Sequence, residues 1–304
     1  MGRTLEALKQ AMARQAPATR DIPPLQTVWP DEDLGQSSDV PFVEVGGPRV
    51  PVQPPPAPAP RAATPSVSPA LDGPRLMTVL FRPLPVEPAI RHARSRFAVE
   101  LVAYHQPDHA ISAQYRDLSA RLIGSLPSEH ARVLLFTSAG PGAGTTTVLL
   151  NTAITVARQN ARRVVVVDAH LRRAAVAARL GLGEVPGLRE VLGGQLPLEP
   201  AVRPTGLPGL SALTAGAAGA APAARLAGEG MRSVLRHLRE QFDLVLVDGP
   251  PWDGRPEVVA LGCACDAVYL CLPEADQDTP ESADLLQIIS EQGGNLCGCV
   301  LTAR

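Results

Sequence analysis

Thr137-Ser138-Ala139-Gly140-Pro141-Gly142-Ala143-Gly144-Thr145-Thr146-Thr147 is the stretch on which the fold turns. The apolar run Val133-Leu134-Leu135-Phe136 precedes it, and the helix-like run Val148-Leu149-Leu150-Asn151-Thr152-Ala153-Ile154 follows. Strand, glycine-rich turn and helix in that order are the layout of a phosphate-binding loop. Glycines let backbone N–H groups close around phosphate oxygens, and the helix N-terminus adds partial positive charge. The usual pattern ends Gly-Lys-Ser/Thr. Here Thr145 follows Gly144, so the loop has the shape of a nucleotide site without its main cation.

Beyond the loop, strand and helix patterns alternate. Strands are expected at 132–137, 163–168, 243–248, 267–272 and 298–302, with helices at 146–159, 170–180, 187–193, 222–241, 256–264 and 280–292. Upstream, Phe97 to Tyr104 reads as an opening strand, and Ser112 to Leu126 has helical spacing with Tyr115, Leu118 and Leu122 on one face. Continuous apolar strands such as Val164-Val165-Val166-Val167 indicate an α/β fold, a mostly parallel buried sheet flanked by helices.

Two strand ends complete the loop's chemistry. Asp168 closes Val164–Val167, and Asp248 closes Leu244-Val245-Leu246-Val247 ahead of a rigid Gly249-Pro250-Pro251 turn. Ligands bind at the carboxyl ends of such sheets, so Thr146, Asp168 and Asp248 form a candidate Mg2+–phosphate set.

The 304 residues suffice for one or two domains, and a net charge of -2 supplies no basic field for nucleic acid. Eighteen of the 32 prolines fall in residues 1–90. Residues 1–14 carry Leu5, Leu8 and Met12 on one face, reading either as a marginal helix or as a docking helix for a partner or membrane surface. Residues 15–90, with Pro54-Pro55-Pro56-Ala57-Pro58-Ala59-Pro60 at their centre, read as a disordered proline-rich arm. Residues 91–304 form the P-loop domain. No apolar run approaches the roughly 20 residues of a membrane span, and no secretory leader is legible, so a cytoplasmic location is expected.

The set of motifs resembles the bacterial tyrosine kinases of capsule and exopolysaccharide synthesis, a branch of the P-loop proteins related to the Min and Par ATPases. Ser138, Pro141, Gly142, Gly144, Thr146, Asn151 and Ala153 match the family's loop and its following helix. Asp168-Ala169-His170-Leu171-Arg172-Arg173-Ala174 is similar to its Asp-Ala-Asp-Leu-Arg-Arg-Pro motif. Gly187-Leu188 with Val191-Leu192-Gly193-Gly194 resembles its Gly-Leu-x-x-x-Leu-x-Gly segment, and Asp248-Gly249-Pro250-Pro251 its Asp-Thr-Pro-Pro. The resemblance implies ATP or ADP with Mg2+ as cofactors. Pro141, Gly142, Ala143, Gly144, Thr145, Thr146 and Thr147 would hold phosphates, and Thr146, Asp168 and Asp248 the metal. Asp168 and Asp248 are the candidate catalytic pair, Asp168 as base. It also implies a membrane polysaccharide co-polymerase (chain-length determinant) as partner at the inner face of the membrane, and self-association.

The departures matter as much. Thr145 replaces the lysine, and losing one such charge-stabilising donor costs about 10²–10³ in rate. His170 replaces the second aspartate of the Asp-x-Asp pair. Of the family's Glu-Arg-Arg ring-closing motif only Arg116 is matched. Thr302 stands where an asparagine flanks the adenine, and neither the segment completing that pocket nor a tyrosine-rich tail is read after Arg304. The expected function is therefore a tyrosine-kinase-like regulator with impaired or lost phosphoryl transfer. Two alternatives stay open: an active protein-tyrosine autokinase, and a Min/Par-type partitioning ATPase, against which Gly140 counts because that group carries an early lysine there.

Other features read more plainly. Cys263-Ala264-Cys265 and Cys297-Gly298-Cys299 have one-residue spacing, unlike zinc sites, and read as free thiols. Arg172 and Arg173 are either phosphate or subunit contacts or a solvated helix start. Trp252 is either a partner contact or local packing.

Overall fold

In the computed structural model the described residues are 95–124, 132–159, 162–219 and 222–302. The helix expected at 1–14 and the proline-rich arm at 15–90 lie outside them. The order begins α1 (Val102–His105), α2 (Ala110–Gly124), β1 (Arg132–Ser138), α3 (Thr145–Gln159) and β2 (Val164–Asp168). It continues α4 (Val176–Leu180), α5 (Leu188–Leu192), β3 (Val202–Pro204), β4 (Leu210–Leu213), α6 (Glu229–Gln241) and β5 (Leu244–Asp248). It ends α7 (Pro256–Ala264), β6 (Ala267–Pro273), α8 (Pro280–Glu291) and β7 (Leu296–Thr302).

The seven strands pair in the order β3-β4-β2-β5-β1-β6-β7, with only β3–β4 antiparallel. The strands are apolar on both faces because helices cover both. Val133 and Leu135 of β1 pack into one core with α6, α7 and α8, while Leu134 and Phe136 pack into the other with α1 to α4. Helix α6 shows the matching helical period, burying Met231, Val234, Leu235 and Leu238.

Four expectations are corrected. Phe97 to Tyr104 is not a strand: it turns and ends in α1, because short apolar runs do not distinguish strand from helix. The Ala103 N–H donates to Asn151 Oδ1 at 2.9 Å, and Asn151 Nδ2 donates to the Glu100 carbonyl at 3.1 Å, which fastens this turn to α3. The helix expected at 170–180 starts only at Val176, after a turn. The helix expected at 222–241 breaks at extended Gly228 into a 3₁₀ turn, Ala223–Ala227, and α6. Strands β3 and β4 were not expected. They have three and four residues, and Pro204 removes a donor from β3, tolerable only at the sheet edge it occupies.

Strand β1 lies between β5 and β6, so the loop after it opens at the carboxyl edge of the sheet's middle. The register sets Asp168 beside Asp248 on adjacent strands, and Asp248 beside Phe136. Three sequence segments more than 30 residues apart thereby meet at one edge.

Candidate functional site

The loop between Ser138 and Thr145 turns through Gly142 at φ 84° and Gly144 at φ 81°, a region costly for residues with a Cβ. This hairpin of left-handed glycines delivers the chain to the start of α3, whose first N–H groups lack intrahelical acceptors. A buried clamp holds the loop from behind, where the Thr302 hydroxyl donates to the Ala143 carbonyl at 2.9 Å. Thr302 thereby supports the loop from the end of β7.

A cleft of about 190 Å³ opens above the loop. It is lined by Ser138, by Gly140 through Thr146, by His170, Arg173 and Arg179, and by Asp248, Gly249 and Pro251. Whole-ligand pockets run to roughly 300–1,000 Å³, so this volume suits phosphate groups rather than an entire nucleotide. Of the expected phosphate contacts, Pro141, Gly142, Ala143, Gly144, Thr145 and Thr146 line it. Thr147 does not line it, and its hydroxyl instead accepts from the Arg179 guanidinium.

The expected metal set divides. Thr146 Oγ1 donates to Asp248 Oδ2 at 2.7 Å at the cleft wall. Asp168 stands behind this pair, fully buried and outside the cleft lining. Its Oδ1 accepts from the His170 N–H at 3.2 Å, and its Oδ2 from the Ala175 and Val176 N–H groups at 3.0 Å each. These bonds close the 169–175 turn and start α4, which is why the helix begins late.

Burial raises the Asp248 carboxyl well above the usual carboxylate range, and neighbouring Asp168 adds to the rise, against the Thr146 hydroxyl and the charge of Arg179. Burial raises Asp168 too, opposed first by the N–H groups of Val176 and Ala175. Two buried carboxyls side by side make this edge a place that favours a proton or a cation. A threonine hydroxyl and a carboxylate are hard oxygen donors suited to Mg2+, so the residues present fit the expected ion.

Of the two arginines at the cleft, the sequence offered Arg173 but not Arg179. Thr145, at the lysine position, is half-buried in the cleft wall and brings a hydroxyl but no charge. Arg173 lines the cleft, whereas its neighbour Arg172 turns away to Glu257 at 2.9 Å. Arg179 was not singled out from the sequence. Nothing local marks it, because its place depends on α4 packing beside α3. Trp252 proves to be packing: it is buried, and its Nε1 donates to Gln292 Oε1 at 2.8 Å. Cys265, Cys271 and Cys299 are buried free thiols, raised by burial.

No family model matches the chain. It is 30% identical over 181 residues to tyrosine-protein kinase ptk of Acinetobacter johnsonii, covering 60% of this chain but 24% of ptk. It is 26% identical over 217 residues to tyrosine-protein kinase YwqD of Bacillus subtilis, covering 71% of this chain and 91% of YwqD. The chain thus spans about a quarter of the first relative and most of the second. Among solved structures, the kinase domain of Escherichia coli tyrosine kinase ETK aligns at TM-score 0.62 and 25% identity, over 66% of this chain and 78% of that one. The BceF tyrosine kinase domain aligns at TM-score 0.59 and 27% identity, over 67% and 81%. The fold is that of a P-loop NTPase, and the chain is a relative of the bacterial tyrosine-protein kinases.

Proposed function

We propose that this chain is a tyrosine-kinase-like P-loop protein that regulates exopolysaccharide or capsule synthesis and chain length. In this reading it binds ATP or ADP with Mg2+ and transfers the phosphoryl group poorly or not at all. The observation that carries the binding half is the Thr146–Asp248 pair at 2.7 Å beside the Gly142–Gly144 loop. Mg2+ held there would neutralise phosphate charge.

Three observations support weakened transfer. The lysine position is Thr145, which lines the cleft without a charge. Asp168, the expected base, is buried, accepts from three backbone N–H groups and lies outside the cleft lining. Of the three tyrosines in the sequence, Tyr115 and Tyr269 are buried and Tyr104 stacks on Phe97 with ring centroids 4.2 Å apart, so acceptors for self-phosphorylation are poorly presented. The polysaccharide role, a membrane co-polymerase as partner and a cytoplasmic location rest on kinship. Among the described residues no helix is long and apolar enough to cross a membrane.

Arg173 and Arg179 in the cleft favour a second reading, an active tyrosine autokinase. The test is calorimetric titration of Mg·ATP into the full chain, beside transfer of labelled γ-phosphate, for the wild type and Thr145→Lys. The expected result is Mg2+-dependent binding by the wild type, with transfer about 10²–10³ slower than in Thr145→Lys. Equal transfer by both proteins would establish the autokinase reading. Silence of both in the titration would remove the nucleotide reading altogether.

A further inference from the structure

We infer that Arg179 supplies the cation that the loop lacks at Thr145, so that the phosphate charge is met from α4, across the cleft, rather than from the loop itself. This rests on the nucleotide-binding reading above and adds the residue that makes such binding work without lysine.

Arg179 lines the same cleft as Gly142, Gly144, Thr146 and Asp248. One guanidinium N–H donates to the Thr147 hydroxyl, which places the group at the first turn of α3. A guanidinium has five donors in a planar fork, so one bond to Thr147 leaves a face suited to phosphate oxygens. Its charge already acts on Asp248, so its field is felt where the Mg2+ pair stands. Half-buried, it is screened less than the exposed Arg173 on the preceding turn.

The helix that carries it is held at both ends. Asp168 takes the N–H groups of Ala175 and Val176 at the start. At the finish, the Ala98 N–H donates to the Arg179 carbonyl at 2.8 Å and the Leu182 N–H to the Ala177 carbonyl at 2.9 Å. An arginine on a fixed helix loses less freedom on binding than one on a loop. The competing account is structural, in which Arg179 merely caps Thr147 and offsets the buried Asp248 carboxylate.

The test is titration of Mg·ATP and of inorganic pyrophosphate into full-length wild type, Arg179→Ala, Arg179→Lys, and the double variant Arg179→Ala with Thr145→Lys. Arg232→Ala, an exposed change on α6, controls for net charge, and thermal melts check folding. Arg179→Ala is expected to weaken both ligands about 10- to 100-fold. Arg179→Lys should keep part of the affinity, and Thr145→Lys should restore it in the Arg179→Ala background. Unchanged affinity in a folded Arg179→Ala protein overturns the inference and leaves the nucleotide reading standing. So does weakening that Thr145→Lys does not rescue. Failure of the wild type to bind either ligand removes the nucleotide reading, and the inference with it.

Discussion

The glycine loop, 140–147, and the segment 168–181 face one another across a single cleft, and they contribute opposite things. The loop offers backbone geometry: two left-handed glycines, a helix start and a hydroxyl, with no cation of its own. The facing segment has little regular structure but carries His170, Arg173 and Arg179 to the cleft. Shape and charge, usually united in one phosphate-binding loop, are here divided between two segments. Shape survives the loss of lysine because glycine dihedrals and buried strands do not depend on that side chain. Charge is set by single side chains, so it can move from one wall to the other.

The sharpest break of this contrast is on the shape side. Gly144→Val forces a β-branched residue into a left-handed conformation, costing at least about 1–2 kcal/mol. Calorimetry should show Mg·ATP affinity lost by more than about 100-fold, because the loop N–H groups are then misaimed. Retained affinity would mean that the facing arginines alone suffice.

An intermediate effect comes from pH. The folded-state pKa of Asp248 is raised, so the folded state keeps a proton that the unfolded chain releases. Its contribution to stability therefore falls as pH rises from the ordinary carboxylate range, about 4, toward the raised value. Mg2+ binding needs the ionised carboxylate, so Mg·ATP affinity should climb through the same window, and added Mg2+ should recover the lost stability. Melting curves and titrations from pH 5 to 8 check this, with Asp248→Asn expected to flatten both profiles. A flat wild-type profile would detach Asp248 from the metal.

The smallest effect separates adjacent arginines. Arg172→Ala breaks a pair between an exposed arginine and a Glu257 side chain that is only 12% exposed, so it should cost stability about 1 kcal/mol while leaving Mg·ATP affinity unaltered. A loss of affinity comparable to that of Arg179→Ala would erase the distinction between a cleft arginine and its solvated neighbour.

Much of this architecture was legible in advance, for reasons that can be named. Strand β2 reads directly from four valines because both faces of a central strand are buried. The loop reads from its glycines because left-handed dihedrals restrict residue choice. Strands β3 and β4 were illegible because their three and four residues carry no periodicity, and their place depends on pairing with β2. The late start of α4 was hidden because Asp168 holds Ala175 and Val176 through hydrogen bonds spanning seven and eight residues. Helical spacing carries no record of that hold. Of the candidate site, the loop and Asp248 were found at the cleft, while the seclusion of Asp168 and the arrival of Arg179 were not.

The sequence by itself determined the alternation of apolar strands and helices, the glycine turn and the replacement of lysine by Thr145. These are local properties, written in residue type and spacing over a few positions. Only the tertiary structure decided which carboxylate faces the cleft, which is consumed in starting a helix, and which arginine meets the phosphate loop. Arg179 and Thr147 stand 32 residues apart. Their contact exists because β1 and β2 are joined through β5 in one sheet and α4 packs beside α3, an outcome of global packing that no local pattern encodes.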